Sequence, residues 1–290
     1  MPGSLFVTGG TGFVGSRFLQ TLDPGRYPRI VCLSRAKPAS GPPNVEYIAG
    51  DLTRSATYAA ALAGCDTVVH LAAVTGKSRP ETYFQVNREG TRALIGECKR
   101  AGTERFLYVS TIAAKFTNQH RYYYAQSKRQ AEEAVSRSGL SYTIVRPTMV
   151  LGKGSPVLEG LARLARLPVM PVFGNGRALV QPVSVDDLAA SLAAILEDPA
   201  FVGRTVEIGG PDILSIEELL IRIRGGAGPV MHLPAGPIAG VVGLLEKILL
   251  PVLPFTAGQI ASFVNDGTIE PDARVAEWQT RMQRIDRMLA

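Results

Sequence analysis

Tyr124 and Lys128 stand four positions apart in Tyr124-Ala125-Gln126-Ser127-Lys128, a spacing that puts both on one face of a helix. An ammonium beside a phenol stabilises the phenolate and lowers the phenol's pKa. Such a tyrosine can exchange a proton with an alcohol or a carbonyl near neutral pH. Tyr122 and Tyr123 are adjacent, but only Tyr124 stands four residues before the lysine. An exposed helical pair with no chemistry would share this spacing, so context decides. Ser110 and Thr111 close an apolar strand, and Thr111 lies thirteen positions before Tyr124. A hydroxyl there could orient a reacting oxygen, or it could cap a turn.

A second constellation lies in Thr8-Gly9-Gly10-Thr11-Gly12-Phe13-Val14-Gly15. It follows the apolar run Leu5-Phe6-Val7 and opens an apolar-periodic stretch. Strand, glycine turn and helix in that order form a pyrophosphate site, because absent side chains let the amides of a helix N-terminus approach the ligand. Gly9, Gly12 and Gly15 give G-x-x-G-x-x-G, with G-x-G-x-x-G nested through Gly10, Gly12 and Gly15. A tight turn built of small residues is the plainer reading. The position directly after a strand favours the dinucleotide. Gly9, Thr11, Gly12, Phe13, Val14 and Gly15 are therefore candidate cofactor contacts.

The end of the second strand, ~20 residues beyond the glycines, meets the adenosine ribose. An acid there bonds the 2′-hydroxyl, whereas an arginine accommodates a 2′-phosphate. The window holds Ser34 and Arg35, with Lys37 close behind and no acid. NADP(H) is therefore expected over NAD(H), the competing reading of Arg35 being a solvated loop cation. Asp51, in Gly50-Asp51-Leu52 after the third strand, would meet the adenine amino group or cap the next helix.

These residues need elements that bring them to one edge. Strands are expected at 4–8, 29–33, 45–48, 67–71, 105–110 and 141–146, with helices at 13–22, 55–62, 83–100 and 122–137 between them. Short continuous β-branched strands alternating with helices predict an α/β doubly wound parallel sheet. Beyond Pro147 the pattern loosens: helices at 186–196 and 216–223, a strand at 205–208, then helices separated by prolines. We read 1–150 as a dinucleotide-binding Rossmann domain. Residues 151–290 read as a mixed, mostly helical region for substrate or docking, whose 205–208 strand could return to the first sheet.

Composition narrows the function classes. The 290 residues are 46% apolar and 19% charged, with net charge +6. The basic residues are scattered rather than interleaved with aromatics, which argues against nucleic acid. Cys32, Cys65 and Cys98 are too few and too dispersed for a disulfide framework and read as core thiols of a reducing, cytoplasmic compartment. His70, His120 and His232 lack ligand spacing, so no metal is implied. No signal peptide is expected before the first strand. The apolar segment 237–255 is interrupted by Glu246 and Lys247 and ended by Pro251 and Pro254. It falls short of the ~20 apolar residues of a spanning helix. Filling the core of the small lobe is the favoured reading. Docking on a partner or at a membrane periphery, and lining a pocket for an apolar substrate, are the others.

Taken in order, the motifs resemble the extended or atypical branch of the short-chain dehydrogenase/reductases. They are the Thr8–Gly15 turn, Gly50-Asp51-Leu52, His70-Leu71-Ala72-Ala73, Val86-Asn87 with Gly90-Thr91, and Ser110-Thr111. Tyr124 with Lys128, Arg146-Pro147, Val183-Ser184-Val185-Asp186-Asp187 and Ile208-Gly209-Gly210-Pro211 follow. The resemblance covers about 210 residues and implies a triad. Thr111 would orient the substrate oxygen, Tyr124 would be general acid/base, and Lys128 would bind the nicotinamide ribose and tune Tyr124. It also implies that Leu52, Leu71, Ala72 and Ala73 lie along the cofactor, that Asn87 faces the active site, and that the backbone after Pro147 closes over the nicotinamide. Thr111 stands where serine is more usual, and Ile112-Ala113-Ala114-Lys115 replaces the V-Y-G that many extended members carry. Gly174-Asn175-Gly176 and the run Val180 to Ala189 resemble the subgroup containing the accessory NADPH-binding subunit of respiratory complex I. The expectation is thus an NADP(H)-dependent oxidoreductase acting on a carbonyl or alcohol. The alternatives are a non-catalytic NADPH-binding module and a sugar-nucleotide epimerase or dehydratase. Oligomeric state is left open.

Overall fold

The computed structural model describes residues 3–250, Leu253 and residues 255–290. Its elements run β1 (Ser4–Thr8), α1 (Phe13–Thr21), β2 (Arg29–Ser34), β3 (Val45–Ala49), α2 (Ala59–Leu62), β4 (Thr67–His70), α3 (Pro80–Tyr83), α4 (Thr91–Ala101), β5 (Arg105–Val109), α5 (Tyr123–Ser136), β6 (Ser141–Pro147) and β7 (Val150–Leu151). Then come α6 (Pro156–Ala165), β8 (Met170–Phe173), β9 (Leu179–Val180), β10 (Val183–Ser184), α7 (Val185–Glu197), β11 (Arg204–Ile208), β12 (Leu214–Ser215), α8 (Ile216–Arg224), β13 (Val230–Leu233), α9 (Ala235–Leu249), α10 (Ala257–Ser262), α11 (Ala273–Gln279) and α12 (Ile285–Leu289).

Seven strands form one parallel sheet in the order β11-β6-β5-β4-β1-β2-β3. Alternate residues of each strand feed opposite faces, and both faces are apolar. Leu5, Val7, Ile30, Cys32, Val69 and Leu107 pack with Phe18 and Leu19 of α1 and Leu188 and Leu192 of α7. Phe6, Val31, Val68, Phe106 and Tyr108 pack with Leu62 of α2, Leu94 and Cys98 of α4 and Ala131 and Val135 of α5. Helices therefore cover both faces, the doubly wound arrangement that the alternation predicts. All three cysteines are buried thiols. The strand expected at 205–208 is β11, which joins the sheet by pairing Ile208 with Pro147 and Thr205 with Ile144.

The helix expected at 83–100 is not one regular element. It starts at Pro80, widens to a π-helix over Phe84–Gly90 and becomes α-helical from Thr91. The extra residue per turn turns Asn87 inward, where it is 1% exposed. Beyond β6, three two-stranded ribbons and α6, α8 and α12 enclose a second core around Leu161, Met170, Val172, Leu219 and Ile285.

The 237–255 segment meets the favoured core reading in part, since Ile238, Ala239, Leu253 and Phe255 pack partly buried against the small cluster around Phe173. Among the described side chains of α9, Val242 alone is fully buried, against Phe173, Ala257 and Ile260. Val241, Leu244, Leu245, Ile248 and Leu249 are exposed. A helix that is apolar all round cannot show from sequence which side it turns outward. Pro251 and Pro254, expected to end it, lie outside the described residues.

Candidate active site

Parallel register aligns the strand ends. Thr8 stands beside Leu33 and His70, and His70 beside Tyr108. The expected site residues follow at this carboxyl edge, where doubly wound sheets bind ligands. Thr11 to Gly15 follow β1, Ser34 and Arg35 close β2, Asp51 and Leu52 follow β3, and Leu71 to Ala73 follow β4. Thr111 follows β5, Pro147 ends β6, and Tyr124 and Lys128 lie in the first half of α5.

In the glycine turn, each glycine is required for a different reason. Gly9 has φ +75°, and a Cβ there would lie 2.5 Å from the Ala72 amide nitrogen. At Gly15 a Cβ would lie 2.1 Å from the Gly9 carbonyl oxygen. These two let β1, α1 and the β4 loop close on one another. A Cβ at Gly12 would meet only the Gly9 oxygen, at 3.2 Å, and Gly12 and Thr11 are exposed. Gly12 is also the N-cap of α1 and supplies no capping side chain. The N-terminal amides of α1 therefore face an open approach with the positive end of the helix dipole, a fit for a pyrophosphate.

At the end of β2, Thr11 Oγ1 lies 3.4 Å from Ser34 Oγ, and Ser34 donates to the Ala36 carbonyl. Arg35 is exposed. Asp51 neither caps a helix nor points freely outward. Its Oδ1 accepts from the Thr53 hydroxyl at 2.7 Å and amide at 2.8 Å. Those bonds hold its carboxyl below the usual range, with Arg54 and then Arg35 adding to the effect. Leu52 is buried beneath Gly90.

The catalytic candidates meet only in part. The Thr111 hydroxyl stands close enough to the Tyr124 phenol to favour its ionised form, and it accepts from the Ala113 amide at 3.3 Å. Tyr83 and Tyr122 stand against the Tyr124 ring at centroid distances of 6.3 and 6.1 Å. Burial pushes the Tyr124 phenol up to about 12, against the opposing effect of Thr111. The lowering that a nearby lysine predicts is therefore absent. Lys128 explains why: its Nζ is turned to the Val109 carbonyl oxygen at 2.7 Å and lies 4.2 Å from the Tyr108 ring centroid. Lys128 is 2% exposed, and burial pulls its amine down to about 7 against the opposing charge of Glu132.

Sequence reasoning passed over a buried relay beneath this pair. His70 Nδ1 lies 2.6 Å from Thr8 Oγ1, and Nε2 lies 2.9 Å from Thr91 Oγ1. Thr91 donates to the Asn87 carbonyl, and the Ala72 amide donates to Thr8 Oγ1. These directions leave Nε2 as donor and Nδ1 as acceptor. Burial, with the charge of Lys128, pulls the imidazole down to about 3, so it is neutral. Asn87 clamps both backbone groups of Val74 and donates to Ser127 Oγ, which donates to the Tyr124 carbonyl. The loop carrying Ala72 and Ala73 is thus tied to the helix carrying Tyr124. Ser110, the neighbour passed over in favour of Thr111, is 5% exposed and its Oγ lacks a hydrogen-bond partner. A buried hydroxyl of that kind beside Thr111 is available to a ligand. His70 and Asn87 both stand within the sequence motifs, and a histidine directly ending an apolar strand is the signal that marks the relay.

Arg146 and the paired aspartates have structural partners. Arg146 clamps Glu132 through Nε at 2.9 Å and Nη2 at 2.6 Å, tying β6 to α5. Ser184 caps α7, and Asp187 accepts from the Gln283 amide at 2.8 Å.

The model of the NAD dependent epimerase/dehydratase family matches residues 5–209. A ceramide reductase of Caulobacter vibrioides is 34% identical over 200 residues, 68% of this chain and 62% of that protein. The chain therefore spans under two thirds of that relative's length. A mouse sterol-4-alpha-carboxylate 3-dehydrogenase, decarboxylating, is 26% identical over 85% of this chain and 76% of its own. Among solved structures, the dTDP-glucose 4,6-dehydratase DesIV of Streptomyces venezuelae superposes with a TM-score of 0.74 at 22% identity, covering 99% of this chain and 95% of its own. At that identity the likeness concerns the fold.

Proposed function

The chain belongs to the NAD-dependent epimerase/dehydratase family, and on that premise we propose an NADP(H)-dependent oxidoreductase. Its substrate is an apolar alcohol or ketone. The observation that carries this reading is the placement of Thr111 beside the Tyr124 phenol at the sheet's carboxyl edge, with Lys128 one turn further along α5. A chain that only stored a nucleotide has no need of it.

When bound, the nicotinamide dinucleotide supplies or takes the hydride. The glycine turn fits its pyrophosphate, Arg35 its 2′-phosphate, and Ser34, Asp51 and Ala72 to Ala73 border its path. Thr111 orients the substrate oxygen. Tyr124, whose phenol stays protonated at neutral pH, gives its proton to that oxygen in reduction and takes it back in oxidation. Lys128 holds the ribose through amine donors beyond the one spent on Val109. Tyr83 and Tyr122 keep water from the phenol and offer apolar walls, in keeping with relatives named for ceramide and sterol chemistry. The accessory-module reading draws on a mitochondrial complex I relative of Arabidopsis thaliana, 29% identical over 55% of this chain and 40% of its own. The intact Thr111, Tyr124 and Lys128 favour turnover.

The test is NADPH absorbance followed with a panel of long-chain and steroidal ketones. Loss of absorbance with at least one class, slower with NADH, is expected. Tight NADPH uptake with every ketone left intact would leave the accessory module standing.

A further inference from the structure

Helix α9 carries a stripe that nothing among the described residues covers. Val241, Leu244, Leu245, Ile248 and Leu249 recur at helical spacing and are 58, 62, 40, 84 and 43% exposed. The opposite face is already used, with Val242 against Phe173 and Ile260. Two charged residues, Glu246 and Lys247, occur between positions 225 and 264. Glu246 accepts from the Ala257 amide that opens α10. Cations gather at the ends of the stripe. Lys77 reaches the Leu253 carbonyl oxygen at 2.7 Å, with Arg79 exposed two residues on. At the other end Arg121 donates to the Ala239 and Gly240 carbonyls.

We infer that α9 docks the protein on an anionic lipid bilayer, lying in the headgroup region with this stripe buried. An apolar stripe with Lys77, Arg79 and Arg121 at its margins fits a bilayer interface, where the stripe meets acyl chains and the cations meet anionic headgroups. A helix of 15 residues extends roughly 22 Å, short of the ~30 Å hydrocarbon core. Among the described residues no helix is long and apolar enough to cross a membrane. The net charge of +6 acts in the same direction.

The stripe is continuous with the active site. Arg121, bonded to the α9 backbone, lies three residues before Tyr124. Glu246 is close enough to Tyr83 for its charge to act on that phenol, and Tyr83 stands edge-on to Tyr124. Docking therefore brings the Tyr124 side of the sheet to the lipid interface, from which an apolar alcohol or ketone can enter. Docking rests on the stripe and the cations at its margins; only this last consequence rests on the oxidoreductase reading.

The experiment is co-sedimentation of the full chain with sucrose-loaded vesicles of phosphatidylcholine, with and without a quarter phosphatidylglycerol. No substrate is present, so a failure of turnover leaves the result readable. The expected result is binding to the anionic vesicles that falls tenfold or more in Leu244→Asp/Ile248→Asp with unchanged circular dichroism, and that weakens with salt. Ile248→Trp, at the most exposed position, should add a blue-shifted emission on vesicles above that of the native Trp278. Absence of vesicle binding, binding that survives the double substitution, or an Ile248→Trp emission unmoved by lipid would each overturn the inference. So would light scattering that shows the stripe buried between copies in solution.

Discussion

Replacing Lys128 by Met should make the protein more stable at neutral and acidic pH while removing its activity. Lys128 is 2% exposed, and burial pulls its amine from 10.5 to about 7. Below pH 7 the folded state therefore carries a buried ammonium that the unfolded chain solvates freely. Between about 7 and 10.5 the unfolded lysine holds its proton and the folded one releases it. The unfolded state then binds more protons, so wild-type stability rises with pH across that window. At roughly 1.4 kcal/mol per tenfold change in the proton equilibrium, the full rise is on the order of 5 kcal/mol. Met recovers this cost but leaves the Val109 carbonyl unpaired, at about 1–3 kcal/mol, and loses the contact with the Tyr108 ring, worth ~1–2 kcal/mol. The net expectation is a gain on the order of 1 kcal/mol at pH 6 that becomes a loss by pH 10. Urea midpoints of the two apoproteins at pH 6, 8 and 10 measure it, since groups common to both cancel in the difference. A difference that stays flat with pH would show that Lys128 titrates as an ordinary surface amine, and the account of its burial would be wrong.

Three further outcomes follow from the geometry. Arg35→Ala should weaken NADPH binding by about tenfold or more, the worth of a charge-assisted phosphate contact, and leave NADH affinity unchanged; parallel titrations decide it. Glu132→Ala should lower the melting temperature by roughly 6–12 °C. It strands a guanidinium that is 22% exposed, at a cost near the lower end of the ~3–5 kcal/mol for a broken buried pair because Glu207 remains 3.6 Å away. Gly12→Ala should fold but lose NADPH affinity. Gly15→Ala should lose the fold, since its Cβ meets Gly9 and Gly10 backbone. Thermal melts beside nucleotide titrations separate the two.

The sheet was legible because each of its strands is a short apolar run with both faces buried, a pattern no surface strand shows. The carboxyl-edge site was legible because a glycine turn, a Ser-Thr pair and the Tyr124–Lys128 spacing each follow such a run. What could not be read lies in contacts between distant positions. Lys128 turns to Val109, nineteen residues earlier, and whether an amine faces a phenol or a carbonyl leaves no mark in the chain. The π-helical stretch that buries Asn87 depends on packing against α5 and leaves no distinct period. For α9 the difficulty was symmetry, because residues turned to Phe173 and residues turned outward are equally apolar.

The central claim is that Tyr124 moves the proton while other residues hold the cofactor. Tyr124→Phe keeps the ring between Tyr83 and Tyr122 and removes one hydroxyl. With an accepted ketone in hand, the account predicts that its turnover falls by at least a hundredfold, within the range general acid catalysis supplies, at unchanged NADPH affinity. Turnover within a few-fold of wild type would contradict it.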